Sequence, residues 1–64
     1  MRKRGDRVLI TTGKYRGHQG VIESNVFQKT SDYPNDLSDG CQVMLGTGKL
    51  VTVRWDQVEG LTLT

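Results

Sequence analysis

A glycine-rich basic segment, residues 13–20, constrains the fold more than any other part of the chain. Three of its eight residues are glycine, which reaches positive φ without a steric penalty and therefore suits a tight reversal. The segment lies between two apolar runs, residues 8–10 and 21–22, which are rich in the β-branched residues that favour strands. It therefore predicts a turn between two strands, with three structural glycines: Gly13, Gly17 and Gly20.

Alternation of apolar and polar residues extends the strand pattern along the chain. No segment of eleven or more residues keeps the 3.6-residue apolar period of a helix. Val21 and Val26 are both expected to face inward although their parity differs, so a bulge should lie between them, near Asn25. The predicted strands are residues 7–12, 21–27, 41–45, 49–55 and 58–63.

Between the predicted strands lie three further links. Residues 29–40 are rich in Asp, Ser, Asn and Pro, and this composition predicts a loop that repels polyanions. Residues 46–48 predict a short hairpin link, and residues 56–57 a single 3₁₀ turn. Phe27 is expected to pack at a strand end. Each pair of consecutive predicted strands is therefore joined by a segment that can reverse the chain.

The predicted core is small. An isolated hairpin is unstable in water, so the sheet must curl and pack on itself. We therefore predict an all-β fold, a small, partly open barrel of about five strands that hides most of its edges. The side chains expected to fill it are Val8, Ile10, Val21, Val43, Leu45, Val51, Val53, Trp55 and Val58.

Size and residue counts narrow the class of protein. The 64 residues suffice for one domain, predicted to span residues 5–64 after a mobile basic arm at 1–4. No apolar run approaches the roughly 20 residues that span a bilayer, so no membrane partner is expected. Cys41 is the only cysteine, which excludes an internal disulfide and favours the cytoplasm. It is expected to be a small buried hydrophobe.

The sequence does not contain the residue patterns that are typical of catalytic or metal-binding sites. One cysteine and one histidine cannot close a zinc site, and no triad or paired-carboxylate pattern is present. Asp32, Asn35, Asp36 and Asp39 do not follow the spacing of a calcium-binding loop. We therefore expect a non-enzymatic protein with no metal and no cofactor.

Charge is distributed unevenly along the chain. Residues 1–20 carry six Lys or Arg against one Asp, a net charge of +5, whereas residues 21–64 carry three against six, a net charge of −3. Such cations neutralise phosphates and release counterions, and Tyr15 could stack on an unpaired base. A plain strand link whose charges are merely solvated is the alternative. The predicted nucleic-acid-binding residues are Arg2, Lys3, Arg4, Arg7, Lys14, Tyr15, Arg16 and His18.

Residues 5–24 resemble the KOW motif: Gly5-Asp6-Arg7-Val8-Leu9-Ile10, then Gly13-Lys14-Tyr15-Arg16-Gly17, then Gly20-Val21-Ile22. That motif is a strand, a basic glycine-bounded loop and a second strand, in SH3-like barrels of certain ribosomal proteins and NusG-class transcription factors. The resemblance implies an SH3-like barrel that contacts RNA, another nucleic acid, or ribosomal and transcription proteins. It also implies that three loop residues make the contacts: Lys14, Arg16 and His18.

A protein-interaction module of the SH3-like or Tudor-like type is the alternative function. Barrels of this kind use exposed aromatic side chains as platforms for partners. Tyr33 and Trp55 are the candidates for such a surface, together with the acidic segment 29–40. Trp55 is also consistent with a core or rim position. The sequence leaves the oligomeric state open.

Overall fold

The computed structural model describes residues 3–61 and confirms the all-β prediction. Five antiparallel strands form one sheet in the spatial order β4-β3-β2-β1-β5. A 3₁₀ turn, Trp55–Gln57, separates the last two strands, as the sequence predicted for 56–57. The strands are β1 (Arg7–Ile10), β2 (Gln19–Thr30), β3 (Tyr33–Leu45), β4 (Leu50–Arg54) and β5 (Val58–Gly60).

The sheet curls into the partly open barrel that the sequence predicted, and it fits a small SH3-like domain. The first and last strands pair at one end of the sheet, where Ile10 lies opposite Val58. At the other end, the tip of the β2–β3 hairpin reaches the free edge of β4, since the Ser31 amide donates to the Thr52 carbonyl at 2.9 Å. This contact covers part of an edge that would otherwise be open.

The core matches the prediction except at two positions. Val21 was predicted to lie in the core but is only half-buried, whereas its neighbour Ile22 is fully buried. The reason is the pleat: Ile22 pairs with the core residue Val43, so the side chain of its neighbour points to the other face. Trp55 begins the 3₁₀ turn and is partly buried against the core. The buried apolar set is Val8, Ile10, Ile22, Cys41, Val43, Leu45, Val51, Val53 and Val58.

The expected bulge is present but lies earlier than predicted. The register between β2 and β3 shifts between Ile22 and Ser24, whereas Asn25 pairs regularly with Cys41. Parity alone required one extra residue between the two valines and could not locate it. The predicted last strand, residues 58–63, is shorter in the structure, and residues 62–64 lie outside the described part of the chain.

The prediction of a loop at residues 29–40 is wrong. Only residues 31–32 form a turn, and the flanking segments continue β2 and β3 as one long hairpin. Polar residues can occupy these strands because most of their side chains are exposed, while the backbones pair with each other. Pro34 is tolerated because it falls where the register shifts between Lys29 and Thr30. Phe27 does not pack as predicted and is 64% exposed.

Candidate functional site

The basic loop, residues 13–18, follows β1 and leads into β2. Its ends are joined by two backbone hydrogen bonds: the Gly17 amide donates to the Ile10 carbonyl at 2.7 Å, and the Ile10 amide donates to the His18 carbonyl at 2.9 Å. Gly13 and Gly17 have φ of 91° and 88°, a region that favours glycine. The loop is therefore a defined structure that presents its side chains from a fixed backbone.

Gly20, predicted as the third turn glycine, is instead a strand residue. It lies in β2 and pairs with Val8 on one side and Leu45 on the other. A Cβ at this position would collide with the Met44 carbonyl and the Val43 side chain. The requirement for glycine therefore comes from the close approach of β3, whereas a reversal of the chain required it at Gly13 and Gly17.

Asp32, at the tip of the β2–β3 hairpin, holds the beginning of the basic loop. One carboxylate oxygen accepts the Lys14 amide at 2.8 Å, and the other accepts Nε2 of Gln57 at 3.0 Å. A Cβ on Gly13 would fall on this carboxylate and on the Gln57 amide. Three segments distant in sequence therefore meet at the Asp32 carboxylate. The sequence predicted this residue only as part of a loop that repels polyanions.

Three side chains, from Lys14, Lys49 and His18, lie beside the half-buried Tyr15. The Nζ atoms of Lys14 and Lys49 lie 5.6 and 5.2 Å from the centroid of its ring. The His18 imidazole approaches edge-on, at 6.2 Å between centroids and 72° between planes, and Arg16 is exposed on the same loop. Lysines at these distances are attracted to the face of an aromatic ring. The arrangement concentrates positive charge around one tyrosine.

The two lysines also change the acidity of the Tyr15 phenol. A hydrogen bond from the Lys49 side chain lowers the pKa of Tyr15, burial opposes it, and the nearby charges of Lys14 and Lys49 lower it further. A positive charge favours the phenolate over the phenol. The lowered pKa of Tyr15 is therefore a local effect of Lys49 first and of the charge of Lys14 second.

Sequence reasoning missed Lys49 as a member of this site. Lys49 follows the Gly46–Gly48 link between β3 and β4, and its carbonyl accepts the Leu45 amide at 2.8 Å. The pairing of Gly20 with Leu45 brings this link beside the start of β2, where the Gly46 amide donates to the Gln19 carbonyl at 3.3 Å. Only the register of β2 on β3 could have revealed this proximity.

The basic arm is separated from the loop by the length of β1. Arg2 lies outside the described residues, and Lys3 and Arg4 are exposed. The Lys3 amide donates to the Asp6 carboxylate at 3.0 Å, so the described part of the arm forms a turn before Arg7. Because β1 has four residues, about 10 Å of strand separates its two ends. Arg7 begins β1 at the end next to the arm, and it lines a shallow hollow together with Gln19 and Gly46.

Tyr33 and Trp55, the residues predicted to contact a protein partner, are less exposed than two other apolar residues of the β2–β3 hairpin. Tyr33 is 39% exposed, and the Arg54 guanidinium covers one of its faces at 3.8 Å from the ring centroid. Trp55 packs partly against the core. The more exposed apolar side chains are Phe27 and Leu37, at 64% and 61%, on facing strands of the hairpin. The sequence favoured the tyrosine and tryptophan because it did not reveal which face of the hairpin is open.

Comparison with known protein families supports the resemblance seen in the sequence. Residues 4–25 match the family model of the KOW motif, a stretch that includes β1, the basic loop and the start of β2. The KOW motif is generally found in ribosomal and transcription-factor proteins that bind RNA, and it is a non-enzymatic module. No curated protein and no solved structure matches the chain. Within residues 3–61, no helix is long and apolar enough to cross a bilayer.

Proposed function

We propose that this chain is a non-enzymatic module that binds RNA through the phosphates of its backbone, using the basic loop. The observation that carries this proposal is the grouping of Lys14 and Lys49 around Tyr15, with Arg16 exposed on the same hydrogen-bonded loop as Lys14. The KOW match covers this loop, and that motif is generally found in proteins that bind RNA. The presence of the motif and the grouping of charge therefore favour the same surface.

The chemistry of this surface suits phosphate rather than base recognition. Lysine and arginine neutralise phosphate charges and release condensed counterions, which supplies affinity but no sequence information. The ring of Tyr15 already has two ammonium groups and an imidazole beside it. Its role in our proposal is to hold these cations in place, and base stacking on Tyr15 is secondary. Binding is therefore expected to depend strongly on salt and weakly on sequence.

The experiment is a titration of an oligo(U) single strand with the protein at several salt concentrations. For a single strand, the slope of log K against log salt is about −0.7 per phosphate neutralised. The double variant Lys14→Ala, Arg16→Ala should weaken binding and flatten this slope by roughly 1.4, because two contacts are lost. Lys29→Ala, at an exposed lysine of β2, is the matched control and should change neither quantity. Failure of the wild type to bind at low salt would contradict the proposal.

Ribosomal and transcription complexes are the partners that the motif favours, and a cytoplasmic location fits both. The arm residues Lys3 and Arg4 would meet a second stretch of the same nucleic acid, since they precede the end of β1 that is farther from the basic loop. A strand of several nucleotides could contact both ends. Replacing Lys3 and Arg4 by alanine should then weaken binding of a long oligo(U) more than binding of a short one.

Protein binding is a second candidate function, and the exposed Phe27 and Leu37 favour it. A lysate pull-down with and without nuclease separates the two. A partner that survives nuclease, and that the double variant Phe27→Ser, Leu37→Ser no longer captures, would support protein binding. A partner that is released by nuclease and lost with Lys14→Ala, Arg16→Ala would support RNA binding.

A further inference from the structure

We infer that Asp32 is a positioning residue for RNA binding, so that a negative charge beside the basic loop strengthens the binding of a polyanion. This inference rests on the proposed function. It assigns a role to a residue outside the stretch that matches the KOW motif, residues 4–25. It also makes a claim of unusual sign, since simple electrostatics predicts that a carboxylate at this place weakens binding.

The contacts of Asp32 use both carboxylate oxygens and are all directed inward, toward the chain. Oδ1 accepts the Lys14 amide at 2.8 Å and Oδ2 accepts Gln57 Nε2 at 3.0 Å. Hydrogen bonds to a charged acceptor are among the stronger ones in proteins. Both oxygens therefore accept hydrogen bonds from the protein itself, and one of these bonds holds the backbone of the basic loop.

The groups that hold Asp32 are themselves fixed. Gln57 is buried, and its Oε1 accepts the Arg54 amide at 3.0 Å, which determines the direction in which Nε2 points. On the other side, the Ser31 amide donates to the Thr52 carbonyl at 2.9 Å and anchors the hairpin tip on β4. The carboxylate is therefore held between the 3₁₀ turn, the edge of β4 and the basic loop.

Loss of this anchor would release the Lys14 amide, while Thr11 and Thr12 remain bonded to Gln57. The bonds between Ile10 and residues 17–18 close the base of the loop, whereas the Lys14 amide is held by Asp32. Lys14 and Tyr15 would then sample more conformations, and binding would have to order them again. Ordering of side chains and loops opposes association, so affinity should fall although a negative charge has been removed.

The test compares two variants that change net charge equally. Asp32→Ala and Asp36→Ala each raise the formal net charge from +2 to +3, and Asp36 is an exposed carboxylate of the same hairpin. For oligo(U), we expect Asp32→Ala to bind about three- to tenfold more weakly than the wild type. Asp36→Ala should bind as tightly or slightly more tightly. Equal or tighter binding by Asp32→Ala would overturn the inference.

Asp32→Asn and hydrogen exchange complete the experiment. Asparagine retains an acceptor for the Lys14 amide without the charge, so its affinity should lie between those of the wild type and Asp32→Ala. If Asp32→Ala does not fold, the affinity of Asp32→Asn for oligo(U) still tests whether Asp32 strengthens binding. Exchange of the Lys14 amide should be faster in Asp32→Ala, and unchanged exchange would overturn the inference. Failure of the wild type to bind oligo(U) would contradict the proposed function. Hydrogen exchange is measured without RNA, so it still tests whether Asp32 holds the Lys14 amide.

Discussion

Gly13 and Gly17 have similar positive φ values but different surroundings. An added Cβ on Gly17 meets nothing within 4 Å, whereas one on Gly13 falls on the Asp32 carboxylate and the Gln57 amide. Gly17→Ala should therefore cost only backbone strain, about 1 kcal/mol, and Gly13→Ala should cost clearly more. The measurement is the free energy of unfolding from denaturant titration. Gly46→Ala, at a glycine without positive φ and with open space, is the control. An equal decrease in the free energy of unfolding for Gly13→Ala and Gly17→Ala would contradict the predicted clash at position 13.

Tyr15 reports the local potential through its acidity. The Lys49 side chain is the largest cause of its lowered pKa, followed among the lowering causes by the charge of Lys14. Lys49→Met should therefore raise the pKa of Tyr15 more than Lys14→Met does. In a Tyr33→Phe background, the ultraviolet absorbance of the phenolate follows Tyr15 alone. An unchanged midpoint in Lys49→Met would show that the ammonium does not reach the phenol.

The same shift has a consequence for stability. Because the pKa of Tyr15 is lower in the folded than in the unfolded chain, the unfolded chain binds more protons in the alkaline window between the two values. The contribution of Tyr15 to the free energy of unfolding should therefore rise with pH through that window. The contribution should disappear in Tyr15→Phe, and comparison of the two proteins across the alkaline range measures it.

At the scale of elements, the 3₁₀ turn depends on one buried polar side chain. Gln57 accepts the Arg54 amide and donates to Asp32 and to the Thr12 carbonyl, the last at 3.4 Å. Gln57→Leu has a similar volume but leaves these groups without a partner, so it should lower the free energy of unfolding by about 1–3 kcal/mol or more. Gln19→Leu, at an exposed glutamine of β2, is the control. A variant as stable as the wild type would show that the network is dispensable.

The sequence was sufficient for elements whose signal is local. The glycines at 13 and 17 and the alternating valines of β4 act within a few residues, so the turn and the strand could be predicted. The long β2–β3 hairpin could not, because exposed Asp, Ser and Pro occur in loops and in exposed strands alike. What decides between them is backbone pairing across the hairpin, such as Phe27 with Asp39. Local composition does not record that pairing.

At the scale of the whole molecule, the candidate site is assembled from segments that are distant in sequence. Lys14 comes from the β1–β2 link, Asp32 from the hairpin tip and Lys49 from the β3–β4 link. The sequence predicted the first of these as a contact, because it lies in the glycine-rich segment itself. Asp32 reaches the site because the curl of the sheet places the hairpin tip beside the 3₁₀ turn. Lys49 reaches it because the register of β2 on β3 places the β3–β4 link beside the start of β2. Taken one segment at a time, the sequence assigns Asp32 to a loop that repels polyanions. It does not reveal that Lys49 lies beside Tyr15.

The position of charge, rather than its total, should therefore control binding by the whole molecule. Lys49→Ala and Lys29→Ala each lower the formal net charge from +2 to +1, yet only Lys49 lies beside Tyr15 and the basic loop. Contacts to phosphate set both affinity and its dependence on salt. On a polyanion column, Lys49→Ala should elute at clearly lower salt than the wild type, and Lys29→Ala close to it. Elution of both variants at the same salt would mean that net charge governs retention, and Lys49 would have no place in the site.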